Sequence, residues 1–226
     1  MNAHLDNPIW SALNSDCKQL GTGTEVAKYF HPDVAPFGAV SADTFENFQV
    51  LYDLISPEQV VVLFSPKDQL DPAPLTIINK VPGIQMVFEG DVAHSVLESQ
   101  VVPLTEKDIP QMLAITSLTQ PGPFLPRTIE FGGYHGIFDG ERLVAMGGER
   151  LQGDWSTEIS AVCTHPDYAG KGFANAILTR VIENIKQKGR VPYLHVRTDN
   201  TNAIALYRKM GFVQRSVMNF YILQKQ

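Results

Sequence analysis

Residues 162–174 read Val162-Cys163-Thr164-His165-Pro166-Asp167-Tyr168-Ala169-Gly170-Lys171-Gly172-Phe173-Ala174. An apolar run, 159–163, leads into them and reads as a buried strand. Pro166 and Asp167 stop that strand, and Ala-Gly-Lys-Gly opens a strongly periodic helix. Ala174, Ile177, Leu178, Val181, Ile182 and Ile185 fall on one helical face, with Arg180, Glu183 and Lys186 opposite. Gly189 follows the last periodic residue, as a helix C-terminus favours.

A strand, a glycine turn and a helix start make an anion site. The first helical N–H groups lack intrahelical partners and point outward, with the positive end of the helix dipole behind them. Gly170 and Gly172 leave room for a phosphate to approach the backbone, since neither carries a Cβ. Glycines alone would equally suit an ordinary strand-to-helix turn. The nucleoside-triphosphate loop spacing and the Gly-x-Gly-x-x-Gly dinucleotide pattern are both absent.

The segment downstream decides between these readings. Residues 191–197 form a second strand, and Asp199-Asn200-Thr201 supplies turn and N-cap chemistry. Ala203, Leu206, Tyr207 and Met210 then sit at helical spacing. Gly211 ends that helix, and residues 212–223 read as one or two further strands. Three pieces, in this order and spacing, carry a resemblance: His-Pro-Asp-Tyr-Ala-Gly-Lys-Gly-Phe-Ala, Asp-Asn-Thr-Asn-Ala-Ile-Ala-Leu-Tyr and Lys-Met-Gly-Phe. Residues 101–223 resemble the GCN5-related N-acetyltransferase (GNAT) superfamily, and residues from Phe173 onward resemble its FR47-like branch.

The 226 residues suit one large or two small domains. Acidic residues outnumber basic ones 24 to 18 and no basic run occurs, which argues against a nucleic-acid surface. Two cysteines, Cys17 and Cys163, suggest no disulfide framework. No charged-then-apolar leader and no membrane-length apolar run is present, so a cytoplasmic protein without membrane association is expected. No metal-ligand cluster is found, and no metal is expected.

The first 98 residues read as a small α/β unit. Helices are expected from Pro8 and over 45–55, and strands over 26–30, 60–64, 75–79 and 84–89. The proline-bearing stretches 31–36 and 66–74 read as loops. An eroded copy of the acetyltransferase half is an analogy drawn from element order alone. Residues 92–100 are expected to bridge to a GNAT domain over 99–226. That domain is expected to begin with a strand at 101–104 and a helix at 109–118. The loop 120–127 follows; by resemblance it closes over the acceptor, which makes Phe124 and Arg127 candidates there. A core anchor and a surface arginine are their structural alternatives. Strands 134–138 and 142–148 turn about Asp139-Gly140, a hairpin signal. Strand 158–164 should pair parallel to 191–197, because a helix crossover joins them. The expected fold class is α/β: a mixed sheet with helices on both faces, preceded by the smaller unit.

The resemblance implies acetyl-CoA as co-substrate. It places Val162, Cys163 and Thr164 against the pantetheine arm through main-chain hydrogen bonds, like an added strand. It places the diphosphate over Ala169, Gly170, Lys171, Gly172, Phe173 and Ala174. Ala169 departs from the family's usual Gln or Arg, which removes one side-chain contact; Lys171 is a charge nearby that compensates or is simply solvated. Asn200 stands where the family contacts the cofactor, a role compatible with an N-cap. Tyr207 holds the general-acid position, and a phenol and a thiol have broadly similar reference pKa values. For the base, Glu158 ranks first, with Glu149 and His195 as further candidates and ordered water as the route that needs none.

The sequence therefore points to an N-acetyltransferase moving acetyl from acetyl-CoA to a primary amine, by direct transfer in a ternary complex. The acceptor class and a homodimer both stay open. The rival is a module that binds CoA without turnover, kept alive by Ala169 and by the unsettled base.

Overall fold

The computed structural model describes residues 3–91, 97 and 100–225. The expected bridge over 92–100 lies mostly outside them. A seven-stranded mixed sheet forms the centre. Its strands, in spatial order, are Phe212–Val217 (β12), Gly83–Phe88 (β6), Val191–Arg197 (β11), Ser156–Thr164 (β10), Arg142–Gln152 (β9), His135–Asp139 (β8) and Val102–Pro103 (β7). As expected for a crossover, β10 and β11 run parallel; the neighbouring pairs are antiparallel.

Two smaller sheets complete the fold. One orders Val60–Ser65 (β4), Asn219–Gln224 (β13) and Thr76–Val81 (β5). The other orders Gly21–Gly23 (β1), Ala27–Phe30 (β2) and Gly38–Val40 (β3). Neither β1 nor β3 is visible in the sequence, because each is three residues long and too short to show a period of two. The chain also exchanges strands between its portions. The early strand β6 lies between β11 and β12, while the last strand, β13, lies between β4 and β5.

Helices cover both faces of the central sheet. Phe173–Gln187 (α4) buries Ile177, Leu178, Val181, Ile182 and Ile185, read from its periodicity, together with Ala176, in one cluster with Ile159, Leu194 and Val196. Ala174 itself is half-buried. Gly147 lets α4 approach β9, since a Cβ there would stand 2.7 Å from Ile177. On the opposite face, Pro8–Leu13 (α1) and Ile109–Thr119 (α3) pack Ile9, Leu13, Met112 and Ile115 against Met146, Leu151 and Ala161. Phe45–Leu54 (α2), capped by Thr44, covers the small sheet through Phe48 and Leu51. The final helix, Thr201–Lys209 (α5), is capped by Asn200, whose Oδ1 accepts from the Ala203 amide at 3.2 Å.

Gly211 ends α5 at φ +99°, and a Cβ there would lie 2.8 Å from the Gly90 Cα. Gly140 is also left-handed, at φ +60°, yet has open space around its missing Cβ. Gly140→Ala should therefore cost about 1 kcal/mol, and Gly211→Ala at least about 2, because overpacking adds to conformational strain. Urea unfolding of both variants checks this; equal losses would show that conformation alone decides.

Candidate functional site

β10 and β11 stay paired only from Ser156↔Val191 to Glu158↔Tyr193. β11 then continues along β6, while β10 bulges against β9 between Ser160 and Cys163, with Ala161 at φ +54°. The bulge adds local twist and turns the C-terminal end of β10 away from its parallel neighbour. Among the described residues, 159–164 consequently have no strand partner on that side. A cavity of about 470 Å³ opens in the fork. Val162, Cys163 and Thr164 line it from one side, and Asn200, Ala203 and Tyr207 from the other.

Beyond the fork, Pro166–Tyr168 make a tight turn, and the chain reaches α4 through two left-handed glycines. Gly170 has φ +77° and Gly172, the N-cap of α4, φ +84°. Open space surrounds the missing Cβ of Gly170, and at Gly172 a Cβ would come no nearer than 3.6 Å to Leu97. Backbone conformation, rather than local crowding, thus accounts for glycine at both places. The Lys171 ammonium lies 4.4 Å from the Tyr168 ring centroid, so its charge is held beside the loop. Tyr168 in turn stacks on Phe173 and donates a 2.5 Å hydrogen bond to Asp139. Residues 169–174 lie outside the cavity wall itself. The Thr164 hydroxyl is buried without a hydrogen-bond partner among the described residues. Forked strand, orphan hydroxyl and open helix N-terminus together fit an extended, diphosphate-bearing ligand.

Two of the sequence candidates, Glu158 and His195, meet at the root of the fork. Glu158 is fully buried and receives Arg150 through two hydrogen bonds, 2.7 Å from Nε and 2.8 Å from Nη2. His195 Nδ1 donates to the same carboxylate at 2.6 Å. Burial alone would raise the Glu158 pKa; Arg150 and His195 outweigh it and bring it down to about 2. Gln85 fixes the other side of the imidazole. Its Oε1 accepts from Arg215, so its amide nitrogen donates both to the Leu5 carbonyl and to His195 Nε2, at 2.9 Å. That pattern makes His195 the neutral tautomer protonated on Nδ1. The Glu158 carboxylate thus holds Arg150 and His195 together.

Tyr207 faces the cavity, and its hydroxyl has no hydrogen-bond partner among the described residues. Burial, with a smaller contribution from Cys163, pushes its pKa up to about 12. The phenol therefore holds its proton at neutral pH. Cys163, also on the wall, is pushed up to about 11 by burial, so it rests as a thiol.

The remaining candidates fall elsewhere. Glu149 is fully buried but turns to the other face of β9, where both oxygens accept from Lys188 at 2.8 and 2.7 Å. Phe124 packs edge-on against Tyr134 as a core anchor, and Arg127 pairs with Glu130 at the surface. From that loop Gln120, Pro121, Gly122 and Pro123 reach the cavity instead. Sequence reasoning missed Arg150, Gln85 and the phenylalanines of the wall. Arg150 and Gln85 did carry a signal: each is a polar residue within an apolar strand.

Residues 134–221 match the family model for FR47-like proteins. The structure superposes on a putative acetyltransferase from the GNAT family of Novosphingobium aromaticivorans with a TM-score of 0.90, 31% identity and 98% coverage of both chains. A GCN5-related N-acetyltransferase from Kribbella flavida shares the fold at TM-score 0.63 and 14% identity, over 96% of this chain and 94% of that one. The N-alpha-acetyltransferase RimI of Mycobacterium tuberculosis is 35% identical over 82 residues, 35% of this chain and 51% of that protein. An uncharacterized N-acetyltransferase of Methanocaldococcus jannaschii is 32% identical over 66 residues, 29% of each chain. The chain thus spans about half or less of the curated relatives it matches.

The Glu158 cluster carries a pH signature. Its folded pKa lies below its ordinary 4.5, so its stabilisation is complete above that value and drains away as pH falls toward 2. Glu158→Gln should flatten this acid limb and, by leaving Arg150 buried and unpaired, cost about 3 kcal/mol at pH 7. Urea unfolding between pH 7 and 3 measures both; a variant with an unchanged acid limb would refute the assignment.

Proposed function

This chain belongs to the GCN5-related N-acetyltransferase family, and on that premise we propose that it transfers acetyl from acetyl-CoA to a primary amine, directly and within a ternary complex. One observation carries the reading: the parallel pair β10–β11 opens into a cavity that holds Tyr207 and the unpaired edge of β10. In this reading acetyl-CoA supplies a thioester, whose C–S bond breaks as the acceptor amine forms the new C–N bond.

The chain's own groups would divide the work. Amides and carbonyls of Val162, Cys163 and Thr164 hold the pantetheine arm as an added strand, and the Thr164 hydroxyl finds a partner there. The N-terminus of α4, with Ala169, Gly170, Lys171, Gly172, Phe173 and Ala174, takes the diphosphate. Asn200 caps α5 and borders the cofactor end. Tyr207 donates to the departing sulfur and stabilises its charge. We assign loss of the amine proton to water, because Glu158 and both nitrogens of His195 are already committed. Residues 99–226 would be the catalytic portion. Residues 1–98 would complete its acceptor side through Phe37, Val62 and Phe64.

Tyr207→Phe should lower kcat about 100-fold and leave CoA affinity nearly unchanged. Thiol release across an amine panel gives the rate, and calorimetry the affinity. An unchanged rate would remove the donor; tight CoA binding by the wild type with no thiol release would favour a sensor. Cys163→Ala should keep turnover within about threefold, and mass spectrometry should find no acetylated Cys163, since a thiol protonated to about 11 is a poor nucleophile at neutral pH. A covalent acetyl-Cys163 would contradict direct transfer.

A further inference from the structure

The end of the cavity away from Tyr207 has a chemistry of its own. Phe37, Val62, Phe64, Phe220 and Ile222 wall it. Phe64 stands at the centre of an aromatic cluster, 5.1 Å from Phe37, 4.8 Å from Phe220 and 5.0 Å from the His195 ring. Among the described residues this wall carries two cations, Arg150 and Arg197, and no carboxylate. Glu158 lies beneath it with 0% exposure, its oxygens turned to Arg150 and His195. Arg197 is held by Asp199.

An alkylammonium group entering here would lose its water and find no anion to replace it. An anionic group meets a donor. Arg150 commits Nε and Nη2 to Glu158, while its Nη1 makes no hydrogen bond among the described residues. The side chain keeps 9% exposure where it borders the cavity. Its guanidinium also lies 4.8 Å over the Phe37 ring, so the donor and the apolar surface are adjacent.

Resting on the N-acetyltransferase reading above, we propose that the acceptor is an apolar α-amino acid. Its aromatic or branched side chain lies among Phe37, Phe64 and Phe220, and its carboxylate takes Arg150 Nη1. The geometry of such a molecule matches the cavity. Amine and carboxylate share one carbon, so a carboxylate held at Arg150 keeps the amine beside Ile159 and Ser160, where the fork opens. A lysine side chain or a diamine has no such anchor and brings a charge that the wall does not pair.

Calorimetric titration of the whole protein saturated with CoA tests this without needing turnover. The probes are N-acetyl-L-phenylalanine, its carboxamide and N-acetylputrescine. The free acid should bind at least about tenfold more tightly than the carboxamide, the size expected for one hydrogen bond to a charged group. N-acetylputrescine should bind more weakly than both. Val62→Phe, which narrows the pocket from its half-buried wall, should weaken the free acid at least about tenfold, with CoA affinity within about twofold. A carboxamide as tight as the acid, a preference for N-acetylputrescine, or indifference to Val62→Phe would each overturn the assignment while leaving the transferase reading intact. Failure of CoA itself to bind would sink that reading, and this inference with it.

Discussion

β10 cannot follow β11 past Glu158, and the site is built on that divergence. Up to Glu158 the two strands share a parallel ladder; beyond it the bulge at Ala161 turns β10 away, while β11 stays paired with β6 along its other edge. A strand edge without a partner is normally a liability. Here it faces a cavity rather than solvent, and an extended ligand arm can complete it. The Arg150–Glu158–His195 cluster sits at the point of divergence. Buried charge of this kind contributes little net stability when complete, yet removing one partner is costly. Its effect is to tie β9, β10 and β11 together where their ladder ends.

The second constraint is the strand exchange. β6 is the wall against which β11 can afford to leave β10, and β13 holds β4 and β5 across from it. Gln85 on β6 reaches His195 directly, while Arg215 on β12 holds Gln85 from the far side. Residues among the first 98 therefore set the tautomer of the central histidine and contribute Phe37, Val62 and Phe64 to the apolar wall opposite the fork.

Much of this was legible in the chain. The stripe on α4, the Asp139-Gly140 hairpin, the Asn200 cap and the parallel relation of β10 to β11 all follow from local periodicity and turn chemistry. The glycine loop and the place of Tyr207 came with the family resemblance and with helical spacing. What escaped were long-range facts. Nothing local tells Gly83–Phe88 that its neighbours will be strands more than a hundred residues later. Glu158 entered through the family resemblance, while the guanidinium that closes on it lies on another strand and is not signalled by the sequence around Glu158. A sequence likewise carries the reference pKa of the Tyr207 phenol and not the burial that raises it.

The claim on which the rest depends is that a CoA arm completes the open edge of β10 and ends at the glycine loop. Amide hydrogen exchange, residue by residue with and without CoA, reads that edge directly. Added CoA should slow exchange at least about tenfold within residues 162–164 and 170–174, and should leave the exposed turn at Gly140 unchanged. CoA that binds while those amides exchange as before would contradict the account.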